Sequence, residues 1–172
     1  MMKLSHALLL VLLLSFAAQP VHAFNDSDVT ATSNINQPEA TAPELSITAD
    51  QIKTALTSWV AAIESGSSTA VTPLYADNAI LLPTLSSKIL TTPEGRKEYF
   101  DKFTAQKNLK AELIQAVVRV YGDVAIASGL YNFSFLEHGK TVTIPARFSF
   151  VYIKAENGNL MIVEHHSSKL PK

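Results

Sequence analysis

Residues 113–167 read LIQAVVRVYGDVAIASGLYNFSFLEHGKTVTIPARFSFVYIKAENGNLMIVEHHS. Four runs in this stretch alternate apolar and polar residues with a period of two, the pattern of half-buried strands. They are Leu113 to Tyr121, Val124 to Phe135, Thr141 to Ile153 and Leu160 to Ser167. Gly122-Asp123, His138-Gly139 and Asn157-Gly158 separate them as turns, and Asn-Gly is the strongest short-range hairpin signal of the three. The stretch therefore predicts a meander of four long antiparallel strands.

Upstream the period is helical. Thr48-Ala49-Asp50-Gln51 fits a capping box, with Ile47 and Ile52 placed to form a hydrophobic staple. Ile52, Leu56, Trp59, Val60 and Ile63 follow at helical spacing, and Gly66 is a natural stop. Thr72-Pro73 starts a short helical turn, because proline is tolerated at the first helical position. Ala79 to Leu82 is a short apolar strand ended by Pro83. Thr92-Pro93-Glu94 opens a further helix that buries Tyr99, Phe100 and Phe103 on one stripe. Helices followed by an antiparallel meander give an α+β domain. A curved sheet wrapped around the N-terminal helices leaves a concave mouth, a common place for a small-molecule site.

Residues 1–23 carry the three-part order of a secretory signal: Lys3, an apolar run from Ala7 to Ala18, and small residues at Val21-His22-Ala23. The run falls short of the roughly 20 apolar residues that a spanning helix needs. An exported protein is expected, periplasmic or extracellular, with no membrane attachment after cleavage. Residues 24–45, rich in Asn, Asp, Ser, Thr, Pro and Ala, read as a flexible linker, and residues 46–172 as one domain. Basic and acidic residues nearly balance, 14 against 15, and the three arginines Arg96, Arg119 and Arg147 stand apart. That distribution argues against a nucleic-acid partner. There is no cysteine, which excludes thiol catalysis, thiolate-zinc and iron–sulfur chemistry. No cofactor is expected.

Two segments carry a family resemblance. Leu74-Tyr75-Ala76-Asp77-Asn78-Ala79-Ile80-Leu81-Leu82-Pro83 resembles the second-helix-to-strand signature of the nuclear transport factor 2-like superfamily, a cone-shaped α+β fold. Ala146-Arg147-Phe148 together with Ile162-Val163-Glu164-His165-His166-Ser167-Ser168-Lys169-Leu170-Pro171 is similar to the calcium/calmodulin-dependent protein kinase II association domain and its stand-alone bacterial relatives. The resemblance covers about residues 46–171 and contains no kinase segment. It implies a domain that forms a homodimer or higher oligomer, with a pocket for a small acidic molecule. Arg147 matches one of the arginines of the family's pocket, whereas Ser128 and Ser167 stand where two others would be.

Alternation places Arg147, Ser149 and Val151 on one face of their strand and Phe148, Phe150 and Tyr152 on the other. The resemblance implies that the Arg147 face lines the cone, with His165 and Ser167 inward beside it. Arg147, Ser149, His165 and Ser167 are then pocket candidates, joined by Trp59 and Tyr75 from the helical half. Phe148, Phe150, Tyr152 and His166 become candidates for an oligomer interface, which favours aromatic residues. Each has a plainer reading: Arg147 in a surface ion pair, His165 hydrogen-bonded in a polar core, Trp59 and Tyr75 as core packing. His165 and His166 point to opposite faces and cannot share a metal, so no metal site is expected. Asp50, Asp77 and Asp123 sit at a helix start or in turns, where Asp serves local hydrogen bonding. No complete catalytic set is visible. The enzymatic alternative is an isomerase, cyclase or dehydratase using His165 with Arg147 as anion holder.

Overall fold

The computed structural model describes residues 46–171. The expected signal, residues 1–23, and the expected linker, residues 24–45, lie outside the described residues. The first helix, α1 (Ala49–Glu64), starts as its sequence prescribes. The Thr48 hydroxyl accepts from the Gln51 N–H at 3.2 Å, and Gln51 Oε1 accepts from the Thr48 N–H at 2.9 Å. Ile52, Leu56, Trp59 and Ile63 form its buried stripe, and Gly66, at φ +75°, turns the chain out of it. A short α2 (Ser68–Val71) and a single 3-10 turn (Thr72–Leu74) lead into β1 (Tyr75–Leu82). Helix α3 (Pro93–Thr104) is capped by Thr92, whose hydroxyl accepts from the Gly95 N–H at 3.2 Å.

Four strands then follow as a meander: β2 (Lys110–Tyr121), β3 (Val124–Glu137), β4 (Lys140–Lys154) and β5 (Leu160–Lys169). Their pairings are antiparallel, and β1 adds to the far edge of β5 in parallel, so the sheet order is β1-β5-β4-β3-β2. The fold class expected from the sequence is the one observed, with one parallel pair making the sheet mixed. β1 starts four residues before its predicted start, and each meander strand runs one to three residues beyond the predicted run at one end or both, because backbone pairing continues where the side-chain alternation has already faded.

The β1–β5 register jumps from Tyr75↔Ile162 to Ile80↔Glu164, so β1 carries extra residues between the two pairs. The ladder leaves carbonyls there without partners. Arg96 of α3, only 2 % exposed, supplies them, donating to Ala76 O at 2.7 Å, Asp77 O at 2.9 Å and Ala79 O at 2.6 Å. One guanidinium thus fastens α3 to the irregular strand. A second close approach lies at Gly129 in β3, where a Cβ would stand 1.9 Å from the Gln115 carbonyl oxygen. Only glycine fits opposite the β2 bulge between Leu113 and Gln115.

The faces of β4 are the reverse of those expected. Phe148, Phe150 and Tyr152 are 4 %, 0 % and 2 % exposed and point into the core, whereas Arg147 is exposed and Ser149 half-buried on the outer side. Burial decides the choice: the apolar stripe of α1 needs an apolar surface opposite it, and Trp59 packs on Phe150 with ring centroids 5.2 Å apart. Turning Arg147 inward would place an unpaired guanidinium in that contact. The three aromatics are therefore core within one subunit and not an interface between subunits.

Candidate functional site

Polar side chains converge in the middle of this aromatic core. Trp59 Nε1 donates to the Tyr75 hydroxyl at 3.0 Å. The Tyr75 hydroxyl lies 2.8 Å from His165 Nδ1, and His165 Nε2 lies 3.4 Å from the Tyr131 hydroxyl. Tyr131 donates to Ser167 Oγ, and Ser167 touches Thr84 Oγ1. With Tyr131 donating to Ser167, only one direction satisfies every link from Trp59 to Ser167. Tyr75 has accepted from the indole, so it donates to Nδ1. The imidazole hydrogen is then on Nε2, facing Tyr131, which passes its own hydrogen to Ser167. Ser167 in turn shares a hydrogen bond with Thr84, at the edge of the fold, in which either hydroxyl can donate.

The secondary structure sets this chain up. Trp59 comes from α1, Tyr75 from the first residue of β1, and Tyr131 from the inward phase of β3. His165 and Ser167 are alternate residues of β5, opposite Phe150 and Phe148 of β4. The His165 ring stacks on Phe150 at 3.8 Å between centroids. Burial, with a smaller contribution from neighbouring His166, pushes its pKa down to about 3. Burial likewise pushes the Tyr75 and Tyr131 phenols well above the ordinary range. All three groups are uncharged at neutral pH. The cavity they border, beside Tyr99, Phe100 and Phe103, measures about 10 Å³, room for about one water.

Of the expected pocket set, Trp59, Tyr75, His165 and Ser167 meet on the inner side. Arg147 and Ser149 do not join them. The register pairs Phe148 with Ser167 and Phe150 with His165, while Arg147 pairs with Ser168 and Ser149 with His166. Arg147 and His165 thus lie on opposite faces, and the expected pairing of the two on one substrate within a subunit is corrected. Arg147 Nε donates to Ser168 Oγ at 3.0 Å on the outer side, where His166 is also exposed. No cation faces the inner cavity, since Arg96 is committed to carbonyls. Among the described residues no three His, Asp or Glu side chains converge as a metal site would require. Sequence reasoning missed Tyr131, although its phase with Phe133 and Phe135 marks it as inward. It also missed Thr84, which lies in a loop without periodicity.

No helix among the described residues covers the sheet's outer face. Its rows, read across the register, run Ile80–Glu164–Val151–Ile126–Arg119, then Leu82–His166–Ser149–Ser128–Val117, then Ser168–Arg147–Leu130–Gln115. The end near the β2–β3 turn adds Tyr121, Val124 and Ile153 and is mainly apolar. The opposite end, around Arg147 and Ser168, is polar.

The calcium/calmodulin dependent protein kinase II association domain family matches the chain over residues 48–171. No curated protein matches it. Among solved structures, the chain is similar to a protein from Xanthomonas campestris assigned to the same association domain. The two share 32 % identity over 73 % of this chain and 90 % of that one, with a TM-score of 0.69. It also resembles the S. rosetta CaMKII hub, at 20 % identity, 72 % and 98 % coverage and a TM-score of 0.64. A protein from Streptomyces avermitilis assigned as a dehydratase of the NTF2-like family shares the fold, at 17 % identity, 72 % and 96 % coverage and a TM-score of 0.63.

Proposed function

The chain belongs to the calcium/calmodulin dependent protein kinase II association domain family, and from that premise we propose that it is an exported domain that assembles with copies of itself and holds a small acidic ligand. One observation carries the assembly half. Among the described residues, the five-stranded sheet fills one face with its own helices and leaves the other bare, with Val117 and Tyr121 54 % and 60 % exposed beside half-buried Ile126 and Val151. A mainly apolar patch of this kind, crossed by Arg119 and Glu164, favours a protein partner on a small domain, and a second copy offers the same patch by two-fold symmetry, its Arg119 and Glu164 included. Likeness to a hub from S. rosetta supports the same reading.

The ligand half is more restricted. The inner cavity has no cation and almost no volume, so an acid finds no counter-charge there. An acidic ligand belongs to the outer, Arg147-bearing side of the sheet.

Assembly is tested by replacing Val117 and Val151 with Asp in one variant and measuring molar mass by light scattering after gel filtration. The wild type is expected to elute as a dimer or larger, and the variant as a folded monomer. A monomeric wild type across the micromolar range sinks the assembly reading. So does a variant whose mass is unchanged.

A further inference from the structure

At the polar end of the outer face, the last residues of β5 and the loop that follows β1 enclose a crease of about 410 Å³. We propose that this crease binds the phosphate group of a small phosphate-bearing molecule. The inference rests on the ligand half of the proposed function and narrows it to a place and a chemical class.

The charge of the lining comes first. Lys88, Lys169 and His166 face the crease, and no carboxylate lines it. Arg147 adds a further cation one hydroxyl away, through Ser168. Glu164 lies on the same face but one register row further along β5, beside Val151, and outside the lining. Two lysines thus border the crease, Lys88 from the loop after β1 and Lys169 from the end of β5, with no carboxylate in the lining to offset them. Such a concentration attracts an anion.

The direction of the donors comes second. Ser168 accepts from Arg147 Nε, so its own hydrogen is left to donate. Thr84 lines both the buried cavity and the crease, and it is the last member of the chain that begins at the Trp59 indole. The hydrogens from Trp59 to Ser167 all point outward, and between Ser167 and Thr84 either hydroxyl can donate. An anion in the crease favours the arrangement in which Ser167 donates to Thr84 and the Thr84 O–H donates outward. Thr84 also stands beside the Tyr131 phenol, and an anion in the crease draws its hydrogen outward from there. Hydroxyls from Thr84 and Ser168 and ammonium groups from Lys88 and Lys169 come from two separate segments, and each can meet a different oxygen of one anion. They suit the several oxygens and double charge of a phosphate. The apolar side chains of Leu82, Pro83 and Ile89 complete the lining and would meet the uncharged body of the molecule.

The test is a titration of protein recovered after export with inorganic phosphate, at ionic strength held constant with sodium chloride. It is followed through backbone amide resonances. Saturable shifts centred on Thr84, Ser168 and Lys169 are expected. Replacing both Lys88 and Lys169 with Ala should weaken binding at least 10-fold with the unfolding midpoint unchanged, and Thr84→Val should weaken it about 5-fold. Shifts that track ionic strength alone, or that survive in the double lysine variant, overturn the site. Acetate saturating the same amides as tightly overturns the phosphate assignment. Saturable phosphate binding elsewhere refutes this crease and leaves the acidic-ligand reading standing, whereas no saturable shift anywhere with either anion sinks that reading too. The Val117/Val151 variant should titrate like the wild type, which separates the site from assembly.

Discussion

His165 is held neutral by its surroundings, and the consequence reaches the stability of the protein. Its ring is 3 % exposed, stacked on Phe150, and bracketed by two phenols that are themselves uncharged. The folded-state pKa is near 3 against an ordinary value of 6.5. Above pH 6.5 neither folded nor unfolded chain binds the proton, and the residue makes no pH-dependent contribution. Below 6.5 the unfolded chain takes up a proton that the folded chain refuses, so stability falls with pH until the folded ring also protonates. The slope approaches about 1.4 kcal/mol per pH unit in that window. Urea unfolding at pH 6.5, 6 and 5 should show the decline in the wild type, and His165→Gln should flatten it, whatever its own cost at pH 7. An equal slope in both proteins would assign the acid sensitivity to other groups. In this structure the same side chain serves as a hydrogen-bonding link between Tyr75 and Tyr131, with room for about one water beside it.

At the scale of elements, the weakest join by backbone pairing alone is between β1 and the rest of the sheet. Among the described residues it is the only parallel pair, and its register breaks after Tyr75. Arg96 makes the join sound by capping three stray carbonyls from the flank of α3. Arg96→Met keeps most of the volume but leaves those acceptors buried and unsatisfied, at a cost on the order of 3 kcal/mol. Arg96→Lys should recover only part of that, because an ammonium group lacks the planar fork that reaches several carbonyls at once. Both are read from chemical unfolding midpoints; a loss under about 1 kcal/mol in the Met variant would mean that β1 is held by its apolar contacts. Neither β1's parallel partner nor the anchoring role of Arg96 was legible in sequence. A lone arginine on a helix has the same local pattern whether it faces water or a broken strand.

For the whole molecule, the division between a dry inner face and a mixed outer face organises the proposed functions: packing within the subunit on one side, assembly and anion binding at separate ends of the other. Export adds a prediction at this scale. Protein recovered from the periplasm or medium of an export-competent host should begin at Phe24, read as an intact mass lacking residues 1–23; a mass retaining them would refute cleavage. The helix starts at Thr48 and Thr92, the turns at Gly122, Gly139 and Gly158, and the order of helices before strands all follow from local residue chemistry, which acts over a few positions and is written in them. The likeness in the segment ending at Pro171 was legible for the same reason. Which side of β4 faces inward was not. Alternation divides Arg147, Ser149 and Val151 from Phe148, Phe150 and Tyr152, but it is symmetric about the sheet. Only the apolar stripe of α1, arriving from far along the chain, decides that the aromatics go in and the arginine goes out. The hydrogen-bonded line from Trp59 to Thr84 is likewise tertiary in origin: its members come from α1, β1, the loop after β1, β3 and β5, and no sequence spacing records that packing brings them together.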